Sequence, residues 1–314
     1  MSLKAEKNHR WAVVLAGGDG TRLRELTRRV IGDARPKQFC RLFGEKTLLA
    51  QTRERIAPLF EEEHTLFVLT RAHREFYGEE LAGICDHRKV VQPLNRGTAV
   101  AMALCLEEIA RRDEDATVAF FPSDHYFRDC SAFRDSVEYG LQTVEEYPQS
   151  VLVLGAEAHY PEVEYGWIQP GRALVDSLVH PLHRVRRFWE KPTLERAESL
   201  RRDGCMWNTF VTIGLAGAFL ELFAATIPGL TKILGNCRTE SQIESFYEKT
   251  APVDFSGAVL SHVPERLLVL RDGKSGWMDL GNPHRVMEAL SLSGAQPPWL
   301  ASVHDSAGQL CQVA

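Results

Sequence analysis

Apolar residues in this chain come in short unbroken runs separated by longer amphipathic stretches. The runs Trp11–Leu15, Thr65–Thr70, Thr117–Phe121 and Val151–Ala156, with the shorter pair Val90-Val91, predict five strands. Between them the spacing predicts helices over Thr47–Phe60, Thr98–Arg112 and Ala132–Glu146. In the first of these Leu48, Leu49, Ile56 and Phe60 fall near one face, with Thr47 as N-cap; Thr98 is expected to cap the second. Strands that are apolar almost throughout are buried on both faces. Their alternation with helices therefore predicts an α/β fold, a mostly parallel twisted sheet flanked by helices.

The second half is less regular. Strands are expected at His183–Trp189 and Phe210–Ile213, and helices at Thr193–Asp203, Ala216–Ala225, Glu240–Lys249 and His284–Leu292. The tail from Ser293, with Pro297-Pro298, reads as loosely ordered. Length alone allows two domains, but the pattern predicts one: residues 1–10 as an N-terminal extension, 11–292 as the working domain and 293–314 as a tail.

Composition narrows the classes of function. The 314 residues are 44% hydrophobic and 25% charged, as in an ordinary soluble protein with a substantial core. A net charge of −5 gives no general attraction for nucleic acid or for an anionic membrane. No apolar run approaches the roughly 18 residues of a membrane span, and no export signal is visible. The seven cysteines are scattered without C-x-x-C spacing, which fits reduced thiols in a cytoplasm.

The chemistry starts where the first strand ends. Leu15-Ala16 run into Gly17-Gly18-Asp19-Gly20-Thr21-Arg22, a turn whose glycines allow close backbone approach. Successive backbone N–H groups in such a turn make an anion-binding concavity, and Arg22 adds a fork of donors. Neither common alternative fits. The P-loop spacing G-x-x-x-x-G-K-[ST] is missing, and Leu23 stands where a dinucleotide fingerprint needs its third glycine. The turn reads as a cradle for nucleotide phosphates, with Arg22 and the nearby Lys37 in exposed loops.

The string GGDGTRL followed by Pro36-Lys37-Gln38-Phe39 resembles the signature of the sugar nucleotidyltransferase family, closest to its mannose-1-phosphate guanylyltransferase branch. The family's further motifs recur in order as QPLNRGTA (92–99), PSDH (122–125), EYGWI (164–168), FWEKP (188–192), Trp207-Asn208 and GWMDLG (276–281). The base loop departs from the usual E-P-x-G-R-N-T-A, Arg24-Glu25 replace an aromatic-Pro, and the stretch from Thr27 to Arg35 is longer than usual. No hexapeptide repeat follows, and the remaining chain is too short for the isomerase domain fused to some relatives.

The resemblance implies a Rossmann-like nucleotide-diphospho-sugar transferase fold and a division of labour. Leu15, Ala16, Gly17, Gly18, Gly20 and Thr21 would face the nucleotide, together with Gln92, Gly97 and Thr98. Gln92 carries the donor and acceptor that a base edge requires. Gly166, Glu190, Lys191 and Asn208 would face a sugar phosphate. Asp124 and Asp279 would hold Mg²⁺, which favours oxygen ligands, and Arg22, Lys37 and Lys191 would be the working cations.

The implied reaction joins a nucleoside triphosphate, GTP first, to a sugar-1-phosphate, mannose-1-phosphate first, releasing pyrophosphate. A different base or sugar, or a non-catalytic nucleotide-sugar sensor, is the alternative. A nicotinamide-dependent oxidoreductase is disfavoured by the missing third glycine. The oligomeric state is open, a homodimer included.

Overall fold

The computed structural model describes residues 9–272 and 274–304. Strand β1 (Arg10–Leu15) shows why the central strands of the sheet are apolar on both faces. Trp11 and Val13 enter one buried cluster, while Ala12 and Val14 enter another on the opposite face. Helices Gly97–Arg112 and Ala216–Thr226 cover the first face, and helices Leu48–Ile56 and Cys130–Glu146 cover the second.

The remaining strands are β2 (Thr65–Thr70), β3 (Lys89–Gln92), β4 (Thr117–Pro122), β5 (His125–Phe127), β6 (Val151–Glu157), β7 (Gly166–Val175), β8 (Leu182–Glu190), β9 (Met206–Leu215), β10 (Leu267–Asp272) and β11 (Trp277–Asp279). Nine of them form one sheet in the order β3-β2-β1-β4-β9-β6-β10-β8-β7. Strands β1, β2, β3 and β4 pair in parallel, as do β6 and β10. Only β8 and β9 run against the other seven of the nine, so the sheet is mostly parallel. A separate ribbon pairs β11 with β5 antiparallel, setting Asp279 opposite His125.

The predicted helices are present, some shorter and some longer by a few residues than expected, and Thr47 caps Leu48–Ile56 by accepting from Ala50 N. Thr98 is a correction. The helix starts at Gly97 with Arg96 in the cap position, and the Thr98 hydroxyl instead accepts from Phe255 N and donates to Asp254. The tail differs as well. Residues Trp299–His304 form a helix, Trp299 and Leu300 are buried in a cluster with Leu23 and Leu26, and Trp299 Nε1 donates to Leu42 O at 3.2 Å. Two apolar side chains there outweigh the prolines before them. Residues 1–8 of the expected extension and 305–314 of the expected tail lie outside the described residues.

Candidate active site

The carboxyl ends of β1 to β4 open onto a cleft of about 540 Å³. That is where an open α/β sheet binds ligands. The glycine turn forms one wall, and its conformation is fixed from behind. The Gln38 amide, 1% exposed, donates to Ala16 O at 2.9 Å and to Gly18 O at 2.8 Å, and the Thr70 hydroxyl donates to Gly17 O at 2.8 Å. Three successive carbonyls thus point into the protein, and the Gly17 and Gly18 amides have no hydrogen-bond partner among the described residues.

The three glycines serve different needs. Only Gly20 takes a left-handed backbone, at φ 57°. Gly17 is needed for space, because a Cβ there would stand 2.8 Å from Gln92 Nε2 and 2.9 Å from Thr70 Oγ1. A Cβ on Gly18 would meet nothing within 4 Å.

Of the residues expected on the nucleotide, Leu15, Gly17, Gly18, Arg22, Gln92, Gly97 and Thr98 line the cleft; Ala16, Gly20 and Thr21 do not. Ala16 is fully buried, its N–H committed to Val68 O and its carbonyl to Gln38, so it shapes the turn and offers no donor. Asp19 ties the turn to its neighbours, with Oδ1 3.2 Å from His73 Nε2 and Oδ2 accepting from Asn95 Nδ2 at 2.9 Å. Asn95 in turn accepts from Gly97 N. Gly97 sits at φ 84° with Val253 O only 2.3 Å from any Cβ placed on it, so no side chain fits there.

Lys37 is the main correction. Placed by the sequence in an exposed loop on the triphosphate, it is 7% exposed, and its ammonium meets Asp279 Oδ1 at 3.1 Å, Asp124 Oδ2 at 3.2 Å and Leu280 O at 3.2 Å. Three oxygens match the three donors of a lysine. Burial pushes its pKa down, but the two aspartates outweigh that and hold it above its ordinary value. Burial likewise pushes Asp279 up, and the Lys37 and Arg285 cations override it, holding the carboxyl well below the usual range. Arg285 Nη1 stands 3.6 Å from the other Asp279 oxygen.

His125 completes this centre. Trp277 Nε1 donates to its Nδ1 at 3.1 Å, so the proton of the neutral ring sits on Nε2, 3.9 Å from Asp124 and 3.7 Å from Asp279. Burial lowers its pKa against the pull of both aspartates, favouring that neutral form.

Among the described residues no group of three or more His, Cys, Asp or Glu is set to hold a metal. Asp124 and Asp279 each meet the Lys37 ammonium through one oxygen, and their remaining oxygens fit Mg²⁺, which takes one or two carboxylates and completes its shell with water and phosphate oxygens. Asp124 is the more open of the pair, with a side chain 27% exposed against 12% for Asp279.

The far wall carries Gly166, Glu190, Lys191 and Asn208, all lining the cleft as expected. Burial and the Asp254 carboxylate raise the Glu190 pKa, against Lys191 Nζ at 3.3 Å. The two non-glycine residues with positive φ among the described residues, Lys191 (46°) and Phe210 (65°), both line this wall. Strain of that kind persists where surrounding structure enforces it and gathers at binding sites. Arg22, half exposed, reaches across to Glu164 Oε2 at 3.1 Å.

Sequence reasoning missed Gln38, Thr70, His125, Tyr247 and Arg285. Gln38 and His125 stood inside recognised motifs; the others carry no local signal.

Comparison with known proteins identifies the family. The model of the family described as nucleotidyl transferase matches residues 11–294. The chain is 32% identical over 221 residues to the mannose-1-phosphate guanylyltransferase of Klebsiella pneumoniae, covering 69% of this chain and 45% of that protein. It is 35% identical over 214 residues to the alginate biosynthesis protein AlgA of Pseudomonas fluorescens, covering 67% and 42%. The chain thus spans about half the length of these curated relatives. A crystal structure described as a mannose-1-phosphate geranyltransferase from Thermus thermophilus superposes with a TM-score of 0.77 at 31% identity, over 92% of this chain and 80% of that one. Because the family model matches most of the chain, over residues 11–294, the chain belongs to the nucleotidyl transferase family.

Proposed function

We propose that the protein transfers a nucleotidyl group from a nucleoside triphosphate to a sugar-1-phosphate, with GTP and mannose-1-phosphate as the expected pair. One observation carries this reading. A single cleft is lined at once by Gly17, Gly18 and Arg22, by Glu190 and Lys191, and by Asp124 and Asp279. A phosphate cradle, a cation and carboxylate for a sugar phosphate, and an acidic pair share one space.

The sugar phosphate oxygen forms a bond to the α-phosphorus as the bond to the β-phosphate oxygen breaks, and pyrophosphate leaves with the electron pair. A phosphate monoester has a second pKa near 6, so the nucleophile is already deprotonated and no general base is required. What remains is to hold two polyanions together and to stabilise shifting charge. The turned-out amides of Gly17 and Gly18 with Arg22 receive the triphosphate, and Lys191 receives the acceptor phosphate. Glu190 and Asn208 orient sugar hydroxyls. Lys37 fixes the spacing of Asp124 and Asp279, the residues that would hold Mg²⁺. That ion, when bound, neutralises phosphate oxygens and the leaving pyrophosphate.

The test is a panel of nucleoside triphosphates against sugar-1-phosphates, with Mg²⁺-dependent pyrophosphate release as readout. Turnover with GTP and mannose-1-phosphate is expected. If every combination stays at background while nucleotide sugars still bind, the protein is a sensor and not a transferase.

A further inference from the structure

Gln92 closes β3 and is 2% exposed, yet its side chain reaches the cleft. Its Oε1 accepts from the hydroxyl of Tyr247 at 3.1 Å. Tyr247 is fully buried on helix Glu240–Lys249, and its own carbonyl accepts from Arg96 Nε at 2.7 Å, so it is attached to the base loop at both ends. Burial holds the phenol well above its ordinary pKa, which keeps it an O–H donor.

This contact decides which way the amide faces. Were the amide turned over, its N–H groups would face the Tyr247 oxygen, and the buried O–H would have no acceptor among its described contacts. An orphaned buried donor costs more than an average hydrogen bond contributes. Tyr247 therefore keeps Oε1 inward and leaves Nε2 near Gly17, with no hydrogen-bond partner among the described residues. What Gln92 shows a ligand is a donor.

We infer that Tyr247 is a specificity-determining positioning residue, which by orienting Gln92 makes the cleft select a base bearing a ring carbonyl over one bearing an amino group at the same place. Guanine and uracil or thymine present a carbonyl oxygen acceptor, whereas adenine and cytosine present an amino donor. An amino group would face the Gln92 N–H donor to donor and leave both unpaired. The inference rests on the nucleotidyl-transfer reading and adds to it which edge chemistry is chosen and what enforces the choice.

Two near-isosteric pairs test it: inosine triphosphate against ATP, and UTP against CTP, by equilibrium titration and by pyrophosphate release. In the wild type the carbonyl member of each pair should be favoured at least about tenfold, the ratio for one hydrogen bond gained or lost. Tyr247→Phe should bring both ratios towards one while leaving the KM for the sugar-1-phosphate in place, a split that a general structural role would not give. If Tyr247→Phe does not fold, Gln92→Met in its place should erase the same preference. A wild-type preference for the amino member overturns the inference, and unchanged ratios in folded Tyr247→Phe overturn the assignment to Tyr247. Failure of all four nucleotides to bind overturns the underlying reading, and this one with it.

Discussion

The side-chain amide of Gln38 donates to Gly18 O at 2.8 Å while its second N–H holds Ala16 O at 2.9 Å. One buried side chain thus sets the direction of the peptide groups that face the cleft. Gln38→Glu replaces two donors with a carboxylate aimed at two carbonyls. It should raise the KM for the triphosphate and leave the KM for the sugar-1-phosphate nearly unchanged. Lowering the pH should partly restore function, because the protonated carboxyl regains one donor. Equal loss towards both substrates at every pH would refute a role specific to the turn.

Lys37 and Arg22 should behave differently on truncation. Lys37→Met leaves two aspartates beside each other without their shared cation, and breaking a buried pair costs about 3–5 kcal/mol. Urea unfolding should show a loss of that order along with lost activity. Arg22→Ala, at a half-exposed site, should keep the stability of the wild type and lower kcat by about 10²–10³, the scale for one preorganised charge stabiliser. Equal stability of the two variants would contradict the burial seen here.

Asp124→Asn should raise the Mg²⁺ concentration needed for half-maximal activity with little change in thermal midpoint, since Asp124 is partly open. Asp279→Asn removes a buried charge paired with Lys37 and Arg285. It should therefore lower the midpoint as well as shift the metal requirement. A metal titration of each variant decides; wild-type Mg²⁺ dependence in Asp124→Asn would remove that residue from the metal site.

Gly97→Ala places a Cβ 2.3 Å from Val253 O at a backbone φ of 84°. Strained backbone costs on the order of 1–3 kcal/mol, and here the clash adds to it. The expected result is a clear drop in thermal midpoint with weakened nucleotide binding. A fully stable variant would mean that residues 252–254 yield easily.

Lys191→Ala should cut kcat/KM for the sugar-1-phosphate about 10–100-fold, the range for a charge-assisted hydrogen bond, while nucleotide titrations stay near wild type. Weakened nucleotide binding instead would move Lys191 to the other end of the cleft.

The strands that position the turn were legible because both their faces are covered, so β1, β2 and β4 are apolar through their middles. Strand β7 was not legible: past Ile168, where its short pairing with β9 ends, it lies at the edge of the sheet, half exposed, and tolerates Pro170 and Gly171. The ribbon of β5 and β11 is too short for any period to show, at three residues each. Within the site, motif residues at strand ends were visible, but their supports were not. Thr70 meets Gly17 across 53 positions, Tyr247 meets Gln92 across 155, and Arg285 meets Glu162 across 123. Contacts at such separations leave no trace in a local pattern, which is also why Lys37 looked like a loop cation.

The pairing of β11 with β5 has a consequence for synthesis. Asp279 follows Asp124 by 155 residues, which at about 5–20 residues per second takes about 8–31 s to translate. Through that interval a growing chain already carries the glycine turn and Gln38, and gains Lys191 on the way, but Lys37 has only one of its two carboxylates. The acidic centre is completed by the last of the described strands to leave the ribosome, so chains that stop short of β11 own a nucleotide cradle without the pair proposed to work on what it holds.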